Sequence, residues 1–507
     1  MIEVLDSERR AGDARGSVPL FAFGGVGAVA ALAAVALAVS IARYGFFGDE
    51  LYFVAAGRRL AVSYADQGPL LPVISRLMDL AAPDSLVAQR LPAAVITVAA
   101  MVITAQITRE FGGGRAAQVL AAGAYATSPF LLVQGDQLAT NTIDTALWVV
   151  VSWLVVRWVR TRRDGLLLAS GAVTALDMQV KWLIPFFWIA LVISVAGYGP
   201  RELLRRPMLW WGAALVVVTA APSLIWQSTH GWPQLRLGSV VAAEQATIGG
   251  RYTWLPLALA AAGLLGGLLL VYGIWTLLRS ASWRTYRFLG VLPLVLAVAF
   301  LVTDGRPYYA AGCYAALIAV GAVAWTNGWR RPRKIATVAL VAFSAMLLVY
   351  ALPLRPEADI EPAATQAEAG LEIAVYGRFG WSELVAATAD VYRELPESER
   401  ASVIVIADSY WQASALDVYR AQFGLPAVYS PNRGFGYFGT PPDSATTVLW
   451  VGGDEPNVRR HCADLIPVGH ADARLGFPGV TRDVTIWRCA QPRAPWSQVW
   501  PDLLRMG

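Results

Sequence analysis

Lysine is nearly missing from this sequence: of 41 basic residues, only Lys181 and Lys334 are lysines. Charge of either sign is scarce as well. Asp, Glu, Lys and Arg make up 15% of the 507 residues, against about 25% in a soluble globular domain. That shortage excludes a chain that is soluble throughout. The net charge of +5 is modest, and the basic residues sit in short loops between apolar runs, which points to topology and not to nucleic acid. Three cysteines exclude a disulfide scaffold. There is no H-x-x-H or C-x-x-C pattern, so a tightly held zinc is not indicated; the role of a divalent ion stays open. No Walker loop and no G-x-G-x-x-G after a strand occurs, which removes ATP and soluble dinucleotides.

Apolar residues fill the space that charge leaves, at 56% of the chain. They gather in eleven runs, each of roughly the 20 residues that cross a bilayer: 18–43, 86–108, 116–134, 141–158, 165–179, 182–199, 208–226, 253–278, 286–303, 309–327 and 335–353. The expected fold class is a polytopic α-helical membrane protein. The fifth and sixth runs are one apolar stretch divided by Asp177 and Lys181. The start, Met1 to Ser17, is polar and mixed in charge. It lacks the compact basic region and cleavage site of a signal peptide, so the first run is read as a retained span.

With the N-terminus in the cytoplasm and the runs alternating, every dense arginine cluster falls inside, as the positive-inside rule requires. These clusters include Arg157, Arg160, Arg162 and Arg163, then Arg201, Arg205 and Arg206, and last Arg330, Arg331, Arg333 and Lys334. The chain is thus expected in the cytoplasmic membrane, with an odd number of spans. Arg58, Arg59 and Arg76 break the pattern in the first outer loop. That loop is partly amphipathic and is expected to lie on the membrane surface.

The outer side collects the polar residues that a membrane protein holds at a cost. Asp49 and Glu50 follow the first run directly. They are read either as a helix cap or as working groups, since a carboxylate within reach of a hydroxyl takes its proton during attack. Adjacent acids on a helix do not face one substrate together; Asp49 is the candidate base and Glu50 an orienter or binding group. Asp66 and Gln67 lie in a turn ending Gly68-Pro69. Asn141 and Asp144 share one helical face, and Asp177 and Lys181 have the spacing of a helical ion pair. Lys181 is alternatively a contact for phosphate, whose departure from a sugar needs positive charge nearby. Arg306, followed by Tyr308, is a second such cation. His230, between turn residues, reads first as structural and second as a binding group.

After Leu354 the composition changes. Residues 355–370 read as a linker and 371–507 as a small extracytoplasmic α/β domain, leaving 1–354 as the membrane domain. Strands are expected at 401–407, 427–430, 446–451 and 484–487, with a helix from Tyr410 ending at Gly424. Cys462 and Cys489 both fall here, and their pairing is open; Cys313 lies in a span.

The stretches Phe47-Gly48-Asp49-Glu50-Leu51-Tyr52 and Asp66-Gln67-Gly68-Pro69-Leu70 resemble the first outer loop of bacterial glycosyltransferase family 39. These are relatives of protein O-mannosyltransferases and of the aminoarabinose transferase of lipid A, with the GT-C fold. Asn141-Thr142-Ile143-Asp144, Asp177 to Trp182, Trp226 to Pro233 and Gly305-Arg306-Pro307-Tyr308-Tyr309 are similar to later family segments in the same order. In the C-terminal domain, Asp408 to Asp417 and Pro426 to Ser430 look like segments of actinobacterial members.

The resemblance implies inverting transfer of a sugar from a polyprenyl-phosphate donor to a glycan, lipid or protein acceptor outside the membrane. It makes Asp49 the base and Lys181 and Arg306 the phosphate holders. Gln67-Gly68-Pro69-Leu70 stands where many relatives have Lys-Pro-Pro-Leu, which removes one phosphate-binding lysine. The rival reading is a transporter or lipid flippase. It calls for charges at the midplane and repeated halves, whereas here the charges gather on one face and no repeat is visible.

Overall fold

The computed structural model describes residues 18–507; the reading of Met1 to Ser17 and of the N-terminal side lies outside them. From residue 18 to about 350 the chain is helical. α1 (Phe23–Ser40) is followed by the short α2 (Gly48–Gly57) and α3 (Leu70–Ala81), then α4 (Leu86–Glu110) and α5 (Arg115–Ala126). Next come α6 (Thr140–Thr161), α7 (Gly165–Asp177), α8 (Ile184–Tyr198), α9 (Pro207–Thr229) and α10 (Pro233–Thr247). α11 (Gly250–Arg279), α12 (Arg287–Val302), α13 (Tyr314–Thr326) and α14 (Arg331–Ala351) complete the bundle.

Among the described residues, eight helices are long and apolar enough to cross a membrane. A ninth candidate is bent by 71° between Arg115–Ala126 and Pro129–Asp136. α7 and α8, with 13 and 15 residues, are only about 20 Å long at 1.5 Å per residue. The eleven expected runs are therefore all apolar helices, but not all are full-length spans.

α6 is the centre of the bundle, with 83% of its most apolar window buried. α9 and α14, by contrast, leave Trp210, Val218, Ile335 and Val338 exposed. A helix that is apolar all round buries one side in protein and offers the other to lipid. α11 and α13 cross where Gly321 meets the Leu269 carbonyl, and a Cβ at Gly321 would overlap that carbonyl. Overpacking of this kind costs about 1–3 kcal/mol. Gly321→Val is expected to lower the thermal aggregation midpoint in detergent, and an unchanged midpoint would show that the crossing yields freely.

The C-terminal domain adds α15 (Trp381–Glu394) and α16 (Tyr410–Val418) to five strands: β1 (Ile404–Ala407), β2 (Val428–Tyr429), β3 (Thr447–Val451), β4 (Cys462–Ala471) and β5 (Val484–Pro492). They form one sheet in the order β2-β1-β3-β5-β4. β1 is parallel to both neighbours, and β5 is antiparallel to β3 and β4. The four expected strands are present, and β4 is an addition. It carries Pro467 and Gly469 at a register shift on the sheet edge, where such residues are tolerated. The expected helix is interrupted at Tyr419 and ends at Gly424 in the left-handed region (φ 68°). Cys462 and Cys489 form a disulfide between β4 and β5.

Within the expected linker, Ile360, Ala363 and Ala369 are buried with Tyr376, Phe379 and Leu475, so the segment packs against the domain that follows it. The α2 part of the first outer loop, expected on the membrane surface, is instead packed into protein, whereas α3 leaves Leu77 and Leu80 exposed. Nine of the ten α2 residues are buried, and Leu51, Tyr52 and Phe53 share one core with Leu384, Val405, Leu416 and Leu449 of the C-terminal domain. Arg59 spans the join to Asp417 through two hydrogen bonds of 2.7 and 2.8 Å, and Arg58 donates to the Val418 carbonyl. Arg58 and Arg59, two of the three arginines that broke the charge pattern, are therefore docking residues.

Candidate active site

α2 is capped at Phe47, whose N–H donates to Glu50 Oε2 at 2.8 Å. The two acids in this first turn also suit the positive end of the helix. They face opposite ways. Glu50 is 1% exposed. It accepts from Arg90 Nη2 at 2.7 Å and Nε at 2.9 Å, and from the Leu138 N–H at 3.0 Å. Arg90 is also fully buried and binds the carbonyls of Ile41, Arg43 and Gly45. Of the two roles expected for Glu50, orienter or binding group, this network matches the first, since its oxygens are engaged by Phe47, Arg90 and Leu138.

Asp49 is half-buried on the other side of α2. Its Oδ1 accepts from Tyr410 Oη at 2.6 Å and from Trp411 Nε1 at 2.7 Å, both in the first turn of α16. Burial holds the Tyr410 phenol well above its usual range, so Tyr410 is the proton donor in that bond. Its oxygen also accepts from Arg433 Nη1 at 3.2 Å. Arg433 continues through Nη2 to Glu244 Oε1 at 2.6 Å, and the other Glu244 oxygen is bonded by Arg306. One polar chain thus runs from Asp49 through Tyr410, Arg433 and Glu244 to Arg306.

Asp66 borders this chain. Its Oδ1 accepts from Tyr52 Oη at 2.8 Å, and the Tyr52 and Tyr410 rings meet edge to face at 5.4 Å. Burial pushes the Asp66 carboxyl up to about 6, against the Tyr52 hydrogen bond and the charge of Arg433. Gln67 is buried, and its amide atoms have no partner among the described residues. Gly68 fits its turn against the Gln179 backbone, where a Cβ would overlap. The Gly68 and Leu70 N–H groups bond the carbonyls of Val180 and Gln179. This turn therefore locks the first outer loop to the segment that carries Lys181.

Lys181 lies in the break between α7 and α8. Its Nζ donates to Asn141 Oδ1 at 2.5 Å and stands 4.5 Å from the centre of the Tyr309 ring and 5.8 Å from that of Tyr308. Helix α7 stops at Asp177, so the helical ion pair expected between Asp177 and Lys181 does not form. Asp144 and Asp177 are buried, and Asp144 Oδ1 and both Asp177 oxygens are unpartnered among the described residues. Tyr308 stacks on Phe130 at 4.9 Å and packs against Tyr309. Tyr309 brings the Lys181 group beside Arg306, whose electrostatic surroundings include Tyr308, Tyr309, Glu244 and Tyr410.

His230 stands apart. It is exposed, stacked on Trp226 at 4.0 Å, with Tyr437 beyond it. These contacts match the structural role read first for His230, which makes no bond to the Asp49–Arg306 chain among the described residues. Three site residues, Tyr410, Trp411 and Arg433, escaped the sequence reading of chemistry. The only signal for the first two was their place in the Asp408 to Asp417 segment. No three His, Cys, Asp or Glu side chains converge as a metal site among the described residues.

Residues 66–226 match the family model described as dolichyl-phosphate-mannose-protein mannosyltransferase. That stretch includes Asp66, Asp144 and Lys181. No curated protein matches the chain. Among solved structures, ArnT from Cupriavidus metallidurans bound to undecaprenyl phosphate aligns with a TM-score of 0.59 at 15% identity, over 92% of this chain and 98% of that one. Its apo state gives 0.60 at the same identity and coverage. The arabinofuranosyltransferase AftD from Mycobacteria gives 0.54 at 14% identity, over 94% of this chain and 41% of that one. The fold is therefore the GT-C fold of these membrane proteins, and the resemblance drawn from the sequence motifs is borne out.

Proposed function

We propose that this chain is a glycosyltransferase that moves a sugar from a polyprenyl-phosphate donor to an acceptor hydroxyl outside the cytoplasmic membrane. The observation that carries this reading is the polar chain joining the Asp49 carboxylate to the Arg306 guanidinium, with Lys181 beside it. In a direct displacement the acceptor oxygen bonds to the anomeric carbon as the bond to phosphate breaks. Attack from the face opposite the leaving group inverts that carbon. Asp49 takes the hydroxyl proton. Lys181 and Arg306 offset the negative charge that gathers on the departing phosphate.

The position of the site supports an outer location. The site lies at the Asn141 end of α6, while Arg157 and Arg160 at its other end are tied to Glu110. The dense arginine clusters that mark the cytoplasmic side are thus remote from Asp49. An apolar cleft of about 420 Å³ between α7, α8 and α9, lined by Gly171, Trp188 and Val216 and by Met178 and Ile184 on either side of Lys181 in sequence, supports accommodation of a prenyl chain.

The test is transfer in membranes containing this chain, using a panel of radiolabelled polyprenyl-phosphate sugars, with and without EDTA. One donor is expected to be consumed, releasing polyprenyl phosphate. Lys181→Met is expected to raise the donor KM about tenfold. Consumption of no donor in the presence of cell-envelope acceptors counts against a transferase. Vectorial movement of an intact lipid-linked sugar in proteoliposomes would favour the flippase.

A further inference from the structure

We propose that Tyr410 and Trp411 of the C-terminal domain are positioning residues for the Asp49 carboxylate, so that this domain completes the catalytic centre. The inference rests on the transferase reading of Asp49. The two donors lie 361 and 362 residues beyond Asp49 in sequence, yet both hydrogen bonds end on one oxygen, Oδ1, at 2.6 and 2.7 Å.

A carboxylate attached through an sp²–sp³ torsion turns over a broad range. Two donors on one oxygen fix that torsion and leave Oδ2, which has no hydrogen bond among the described residues, to receive the acceptor proton. The donors are themselves held. The Ser409 Oγ accepts from the Gln412 N–H, and the Gln412 Oε1 accepts from the Ser409 N–H at 3.0 Å. The Tyr410 N–H bonds Asn432 Oδ1 at 3.0 Å. This reciprocal cap sets the first turn of α16.

The backbone opposite is shaped to receive them. A Cβ at Gly48, beside Asp49, would overlap the Trp411 ring, and one at Gly434 would overlap the Tyr52 hydroxyl. The charged and titratable groups around Asp49 are Tyr410 and Arg433 from the C-terminal domain, Tyr52 on its own helix, and Asp66 from the following loop. Glu50 faces away to Arg90. Apart from Tyr410, none of these groups bonds Asp49 among the described residues. The two α16 donors are what aims it.

Tyr410→Phe removes one oxygen and Trp411→Phe removes the indole N–H while keeping an aromatic ring. The full-length chain is assayed with the donor that the panel identifies, as single variants and in combination with Asp49→Asn. Each single variant is expected to lower kcat about tenfold or more, as misplacing a reacting group by an ångström does, with the donor KM within about twofold. In the Asp49→Asn background the same changes are expected to alter the residual rate by less than about twofold, because both act through Asp49.

Unchanged kcat in both single variants overturns the proposal. So do losses that multiply on top of Asp49→Asn, and so does an effect confined to KM. If Trp411→Phe loses its fold in a detergent melt, Tyr410→Phe carries the test alone. A native chain that transfers no sugar overturns the transferase reading together with this inference, whereas an active native chain without the coupling overturns the inference only.

Discussion

Asp49→Asn is expected to transfer sugar at least a hundred-fold more slowly than the native chain, the lower end of what a positioned general base contributes, about 10²–10⁴. The substitution separates two roles that one carboxylate can have here. Asparagine keeps a carbonyl oxygen that can accept from Tyr410 and Trp411 as Oδ1 does. The docking of α16 on α2 is therefore preserved. What is lost is a group able to hold the acceptor proton. The donor KM is expected to stay within about twofold, because Lys181 and Arg306 are untouched. The detergent melting midpoint is expected to be unchanged as well. A variant with native turnover would leave Asp49 as a helix cap and an interdomain acceptor. A variant that is inactive because it is unfolded would instead show a lowered midpoint, which separates loss of chemistry from loss of structure.

Much of this site is legible in the sequence because membrane proteins hold charge at a cost. Lys181 stands out in a chain with two lysines, and the structure sets it against Asn141 and Tyr309. Asp49 stands out at the mouth of the first span. The helices are legible for the same reason: long apolar runs leave few alternatives. What is not legible is which partner each charge takes. Glu50 looks as functional as Asp49 until Arg90, 40 residues on, is seen to neutralise it. The spacing of Asp177 and Lys181 suggests an ion pair, yet the helix ends between them and the pair is not made.

The largest omission has a definite cause. Tyr410, Trp411 and Arg433 belong to a segment whose local pattern is that of a soluble α/β domain. Nothing in a helix beginning Tyr-Trp-Gln announces a partner on the far side of the chain. Only packing reveals it. Arg58 and Arg59 carried a hint, as cations on the side where the charge rule disfavours them. The structure shows that they answer to Asp417 and to the Val418 carbonyl.

The join between the domains makes the second large effect. Arg378→Met is expected to destabilise the chain by about 3–5 kcal/mol, the usual result of removing one member of a buried ion pair. Arg378 is 2% exposed and Asp136 is fully buried. Arg378 Nη2 reaches Asp136 Oδ1 at 2.6 Å and Gln137 Oε1 at 3.1 Å, and Ser40 Oγ bonds the second Asp136 oxygen at 3.0 Å. Without the guanidinium, Asp136 keeps a buried charge with one hydroxyl for company. The C-terminal domain also loses a fastening three residues from Trp381, whose indole bonds the Phe46 carbonyl at 2.9 Å just ahead of Asp49. Limited proteolysis is expected to cut this variant sooner within residues 355–370, and turnover is expected to fall with it as Tyr410 and Trp411 lose their hold on Asp49. The double variant Arg378→Met, Asp136→Leu removes both charges. It is expected to recover much of the lost stability, because apolar side chains of similar size often replace a buried pair without penalty. A double variant as unstable as the single one would show that Arg378 acts through its contact with Gln137 or through packing, and not through the charge of Asp136.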